Sequence, residues 1–353
     1  MSTGAGVRKL WRTALLVGSI GLALHLLLPQ IPGIERSLKL IAQTSHALVG
    51  VAFLAEIASE LCYAELLGRS VGAFSRSRRP GKPGMWFLLR LTVTGYGAAH
   101  VLPGGGAAAA TLTYDALRHK GFDSGRIALA LAAVSALVYG ALGTLFSVSL
   151  VYLLLEGDLD PAETAASVFF LALTLCLVLG AHLAYGRPTL AQNTAKAAAR
   201  LVGRLPVDED RRRRVEAWFV RLVSRLGAEL REARRQLILK SAETPKLAAL
   251  ALGYWALDAL CLIVMFAAMN VAADTLVLLV SYGVATALAA IPLTPGGIGV
   301  FEATMLATLA ILGVGPEAAI PVLGYRLFNF WLPIPLAAIF YPTLRPRGAG
   351  WRR

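Results

Sequence analysis

Apolar residues gather along this chain in runs of membrane-spanning length, with the polar residues collected between them. Six runs read as full helical spans: Thr13 to Leu28, Leu38 to Leu67, Ile127 to Leu155, Ala162 to Tyr185, Leu247 to Val271 and Ala318 to Leu344. Two more apolar regions, Trp86 to His119 and Thr275 to Leu312, are each broken once, at Pro103-Gly104-Gly105-Gly106 and at Pro295-Gly296-Gly297-Ile298-Gly299. Lipid offers no partner for a backbone amide, so irregular backbone at membrane depth persists only where protein or a water-filled cavity shields it. Two interruptions in matching places therefore point to a polar site built from broken helices. The predicted fold is all-α: a polytopic integral membrane protein of six full spans and two re-entrant helical hairpins, forming a single transmembrane domain.

Charge fixes the expected topology. The 353 residues carry 34 Lys and Arg against 21 Asp and Glu, a net charge of +13, with 57% hydrophobic content and a mean hydropathy of +0.64. The basic residues lie in loops beside apolar segments, which points to anionic lipid headgroups and away from nucleic acid. Place the N-terminus inside and make both broken regions re-entrant. The basic stretches Gly68 to Pro83, Arg118 to Arg126, Arg187 to Lys246 and Arg345 to Arg353 then all face the cytoplasm, and the acidic loop Glu156 to Glu163 faces outward. Only Arg36 and Lys39 fall in an outer loop, and Arg326 lies within a span, as the positive-inside rule demands. Each half, residues 13–155 and 162–344, then crosses an odd number of times, so the second half is inverted relative to the first. Tyr96-Gly97 and Tyr282-Gly283 precede the two breaks, and Gly121 and Gly313 each follow their proline by eighteen positions. Thr13 to Leu28 follows Arg8, Lys9 and Arg12 but precedes no small-residue cleavage site, so it reads as a retained span. Within Arg187 to Lys246, the run Asp208 to Lys240 sets Val215, Phe219, Leu222, Leu226 and Leu230 on one helical face. It reads as an interfacial amphipathic helix or as a solvated connector.

Candidate chemistry clusters around the breaks. Pro103, Gly104, Gly105 and Gly106, and Pro295, Gly296, Gly297 and Gly299, each open a second half-helix whose free amides would attract phosphate or carboxylate; a plain packing kink is the alternative. Intramembrane charges cost about 2.5 to 3.5 kcal/mol each on insertion scales, so they face a cavity or a partner. Arg326 is the first candidate to hold a lipid phosphate, since a guanidinium binds two oxygens at once; a structural pair with Glu302 or Asp258 competes with that role. Glu302, Glu56, Glu60 and Asp258 are candidates for coupling or headgroup recognition, with a proton on Glu302 or on the Glu56 and Glu60 pair as one energy source and the membrane potential as another. Arg90 either reaches the first hairpin or snorkels to the inner surface. Cys62, Cys176 and Cys261 read as small core residues, and His100, close to the first break, as a local hydrogen-bonding group. No P-loop, dinucleotide fingerprint, zinc spacing or nucleophile motif is present, so neither an enzyme nor a cofactor is expected.

The segments Val101-Leu102-Pro103-Gly104-Gly105-Gly106 to Leu117-Arg118-His119-Lys120-Gly121, and Pro292-Leu293-Thr294-Pro295-Gly296-Gly297-Ile298-Gly299-Val300-Phe301-Glu302 with Tyr325-Arg326 downstream, resemble the lysylphosphatidylglycerol synthase transmembrane-region family. The resemblance covers nearly the whole chain. It implies a flippase-like bacterial inner-membrane protein with both termini cytoplasmic, handling a membrane phospholipid or a lipid-linked substrate, alone, as a homo-oligomer or with a partner enzyme. The soluble aminoacyl-transfer domain of the synthase relatives is not expected after Arg353, nor is aminoacyl-lipid synthesis. A scaffold presenting a lipid-linked substrate to a glycosyltransferase or synthase is the competing expectation. Ala110 stands in the first break where Glu302 stands in the second, so the two hairpins are expected to play unequal parts.

Overall fold

The computed structural model describes residues 43–73, 82–102, 105–156, 243–290 and 294–344, with isolated positions between 161 and 172. Span Thr13 to Leu28, all but a few positions of Ala162 to Tyr185, the stretch Arg187 to Lys240, Pro103, Gly104 and Cys176 lie outside the described residues. Within them the chain is helical, with no strand: α1 (His46–Ala73), α2 (Met85–Val101), α3 (Gly105–His119), α4 (Ser124–Glu156), α5 (Thr244–Ala268), α6 (Thr275–Ala289), α7 (Val300–Ile311), α8 (Ala319–Arg326) and α9 (Pro333–Leu344). Four helical stretches are long and apolar enough to cross a membrane: α1, α4, α5 and the composite of α8 and α9 from Pro316 to Leu344. Their outward positions are apolar, as a lipid-facing surface requires: Leu54, Val148, Leu252 and Ile339 are all more than half exposed.

The second expected span runs from His46 to Ala73, past the expected end at Leu67, and a salt-bridge network lies along that extended end. Glu65 binds Lys82 and accepts from Arg69 Nε at 2.7 Å, while Arg69 also reaches Glu243, which pairs with Lys246 at 3.3 Å. This network ties the end of α1 to the segments entering α2 and α5, and Lys246 and Arg69 hold the Glu243 carboxyl below its ordinary range. α1 and α5 run antiparallel: Ser45 N–H donates to Ala268 O at one end, and Ser59 Oγ donates to Tyr254 O further along.

In each broken region the described residues form two helical arms packed on each other. In the first, Gly95 on α2 faces Ala109 and Thr113 on α3, and Lys120 sits over the Phe87 ring. Arms of 12 to 17 residues reach about 18 to 25 Å, short of the roughly 30 Å hydrocarbon core. The repeated glycines do matching jobs in the two regions. Gly121 (φ 89°) and Gly313 (φ 80°) each end the second arm, followed by N–H bonds from Phe122 to Leu117 O and from Val314 to Leu309 O. Gly97 lets α2 lie against α9, where an added Cβ would sit 2.8 Å from Pro333 O; Gly283 lets α6 lie against Ser149 and Leu145 of α4. Each hairpin thus packs on the last span of the other half.

The composite final span is not a continuous α-helix. Leu327–Trp331 forms a π turn, in which Leu332 N–H reaches back to Leu327 O at 2.9 Å. Pro333 explains it: with no N–H to give Asn329 O and a ring that crowds that carbonyl, it forces the ladder to widen just before it.

Substituting Gly97 or Gly283 by valine overpacks a helix contact and is expected to lower stability by about 1 to 3 kcal/mol. Gly140→Ala, where nothing lies within 4 Å, should not lower it. Thermal unfolding of the detergent-purified variants checks this contrast.

Candidate functional site

The second break requires its glycines. Gly296, Gly297 and Gly299 all have positive φ, 59°, 69° and 78°, a region that side-chain-bearing residues avoid. Space gives the same answer: a Cβ on Gly296 would lie 2.5 Å from the His100 ring and 2.6 Å from Phe330, and one on Gly297 would lie 3.0 Å from Ala289 O. The two breaks therefore meet, since His100 stands three residues before Pro103 and packs directly on Gly296. His100 is not the hydrogen-bonding residue expected. Its Nδ1 is buried without a partner, and the ring is held by stacking, with centroids 4.3 Å from both Tyr96 and Phe330.

The turn launches α7, whose first-turn Glu302 does two things. Its Oε2 accepts from Gly299 N–H at 2.7 Å, capping the helix, and its Oε1 accepts from Arg326 Nε at 2.6 Å. Both side chains are buried, Glu302 at 2% and Arg326 at 4% exposure. The guanidinium carbon lies 4.3 Å from the Phe330 centroid and 4.9 Å from that of Phe301, so the cation is held against two aromatic rings. Arg326 is thus not the free two-oxygen fork expected from sequence: Nε is committed to Glu302, Nη1 touches Asn329 Oδ1 at 3.5 Å, and Nη2 is buried without a partner.

The π turn carries Asn329 into line below Arg326. Asn329 Nδ2 donates to Asp258 Oδ1 at 2.8 Å and to Glu56 Oε1 at 3.3 Å. Asp258 also accepts from Tyr325 OH at 3.0 Å and from Tyr282 OH. One continuous polar chain therefore runs from the Gly299 amide through Glu302, Arg326 and Asn329, where it branches to Asp258 and Glu56, joining α7, α8, α5 and α1 through a hydrophobic bundle. Four of the expected residues, Glu56, Asp258, Glu302 and Arg326, come together. Asn329 and the hydroxyls of Tyr282 and Tyr325 were not anticipated as site residues; the cue was an Asn one helical turn beyond an intramembrane Arg.

Other candidates stay apart. Glu60, half-buried one turn further along α1, joins none of these bonds. Arg90 folds back on its own helix, with Nε 3.3 Å from Trp86 O and its guanidinium over the Trp86 ring. On the first break, Gly105 packs against Ala99 O, while Gly106, Ala107, Ala110 and Thr111 are exposed. Ala110 supplies neither the cap nor the counter-ion that Glu302 gives the second break. No group of three or more potential metal-ligating side chains occurs among the described residues.

Fold and site together define a polytopic helical membrane protein whose interior charges are gathered at the junction of two broken helices. A family model described as lysylphosphatidylglycerol synthase TM region matches residues 10–337, and the chain belongs to that family. Membership associates it with lipid modification or transport at a membrane. No curated protein matches the chain.

Removing one partner of a buried pair strands the other's charge. Arg326→Met and Glu302→Met should each lower stability by about 3 to 5 kcal/mol, and the Arg326→Met/Glu302→Met double variant should lose less than the two singles combined. A double-mutant cycle in detergent unfolding measures this.

Proposed function

We propose that this protein moves an anionic phospholipid or lipid-linked headgroup between the leaflets of a bacterial inner membrane, its acyl chains staying in the bilayer and its headgroup passing the junction of the two breaks. The observation that carries the reading is Arg326: a buried guanidinium, oriented by Glu302 and two aromatic rings, that keeps one N–H edge, Nη2, without a partner beside irregular backbone. A guanidinium edge in a low-dielectric site is the group best matched to a phosphate oxygen. Protein side chains can fill a purely structural ion pair completely; this one is left incomplete.

The inverted two-half arrangement is part of this proposal. The antiparallel α1 and α5 pair, the exchange of hairpins onto the opposite half's last span, and the shared roles of Gly97 with Gly283 and Gly121 with Gly313 all support it. Arms too short to cross support re-entry from opposite faces, and the run of basic residues in the loops supports cytoplasmic termini. Movement would come from rocking one half against the other about a fixed site. Catalysis plays no part in this reading.

The test is leaflet exchange of labelled acidic phospholipid in liposomes. Arg326→Lys keeps the charge and the pairing with Glu302 but removes the free guanidinium edge, so exchange should fall about tenfold, the equivalent of one charge-assisted hydrogen bond. Unchanged exchange in both Arg326→Lys and Glu302→Gln would remove the proposed site.

A further inference from the structure

We propose that Glu56 is the proton-carrying group of this site, sharing its proton with Asp258, and that Glu302 is not. The proposal rests on the translocation reading for its purpose, but not for its evidence.

Charge balance comes first. Among the described residues, three carboxyls, Glu56, Asp258 and Glu302, are at least nine-tenths buried, against one buried cation, Arg326. Glu302 and Arg326 neutralise each other at 2.6 Å, and both Glu302 oxygens are occupied, by Arg326 and by the Gly299 amide. Asp258 accepts from Tyr282, Tyr325 and Asn329, three donors that suit an ionised carboxylate and leave it little reason to hold a proton. Glu56 differs from both. It accepts one long amide bond, from Asn329 at 3.3 Å, its other polar neighbours are the Asp258 carboxyl and the weakly donating Cys261 thiol, and its Oε2 is buried without a hydrogen-bond partner. An ionised oxygen in that position has nothing to offset its lost hydration, whereas a neutral carboxyl tolerates it.

Position gives the same answer independently. The single Asn329 amide nitrogen reaches Glu56 Oε1 and Asp258 Oδ1 together, so the two carboxyls crowd one atom. Two carboxylates at such close quarters do not both ionise, and one proton between them removes the conflict. The groups that face Glu56 offer no other remedy. α5 contributes Asp258 and Cys261, α6 contributes Tyr282, α2 contributes Tyr96, and the last span contributes Tyr325, Arg326 and Asn329. Glu60 follows on the same helix, and α4 has no charged residue between Arg126 and Glu156. Among the described residues the cation nearest the pair, Arg326, is committed to Glu302 through Nε, and Asn329 stands between it and the two carboxyls.

The chemistry is a reversible proton transfer. The Glu56 O–H bond breaks as the proton leaves for water or for an incoming anionic headgroup, and it forms again when the site empties; no electrons change hands. Asn329 joins this carboxyl pair to Arg326, so an anion arriving at Nη2 and a proton arriving at Glu56 are read by one hydrogen-bonded unit.

Infrared difference spectroscopy of the full-length protein in lipid, as the pH is stepped, reads the proton directly. Wild type should show a protonated-carboxyl band that is lost in Glu56→Gln and kept in Glu60→Gln. Should Glu56→Gln fail to fold, Glu56→Asp tests the same point, since it should move the band in frequency. No such band, or one that Glu56→Gln and Glu56→Asp leave in place, overturns the assignment. Lipid exchange in liposomes under an imposed pH difference is scored separately. A Glu56 band without lipid exchange upholds the proton site and refutes translocation, and exchange that responds to the pH difference equally in wild type and Glu56→Gln overturns the proton's coupling role.

Discussion

A guanidinium buried among apolar helices sets the terms for everything around it. Leaving Arg326 without a counter-ion would strand a full charge in low dielectric, so Glu302 must reach it. Glu302 reaches it because α7 begins just after Gly299, where Gly296, Gly297 and Gly299 all take positive φ. The proline-glycine break is thus the device that sets a carboxylate at the right height opposite the last span. The aromatic rings of Phe301 and Phe330 complete the enclosure, and Phe330 in turn contacts His100 from the other break. Backbone irregularity, ion pair and hairpin contact form one construction.

Much of the fold was legible in the amino-acid pattern, for definite reasons. Long apolar runs must become helices in lipid, and a Pro-Gly-Gly run inside one must interrupt it; α1, α4, α5 and the last span appear where hydropathy put them, within several residues. The paired glycines were visible as an echo, but their duties were not. That Gly97 accommodates α9 and Gly283 accommodates α4 depends on which helices meet, and no local pattern encodes this. The end of α1 was misjudged, since the helix continues past Leu67 along a salt-bridge network that hydropathy does not register.

The site was legible to the extent that charge inside an apolar run is conspicuous. Glu56, Asp258, Glu302 and Arg326 announced themselves in that way. Glu60 announced itself equally and yet stays outside, because the way α1 crosses α5 decides which carboxyl meets Asp258. Asn329 was missed because an uncharged amide is unremarkable in a span, and its position depends on a π turn created by a proline four residues later. The tyrosine hydroxyls were missed because a tyrosine among apolar residues reads first as core. In each case the information lay in long-range packing.

The antiparallel pairing of α1 and α5 bears on the field at the centre of the bundle. Each helix carries a macrodipole, positive at its N-terminus and negative at its C-terminus, whose influence is strongest within the terminal turns. Glu56 and Asp258 lie well inside their helices, side by side on two rods pointing opposite ways, so the two macrodipoles largely cancel where the carboxyls meet. Backbone electrostatics therefore leave that point nearly neutral. The potential felt by a headgroup or a proton arriving there is written by a handful of side chains, and altering any one of them alters it directly.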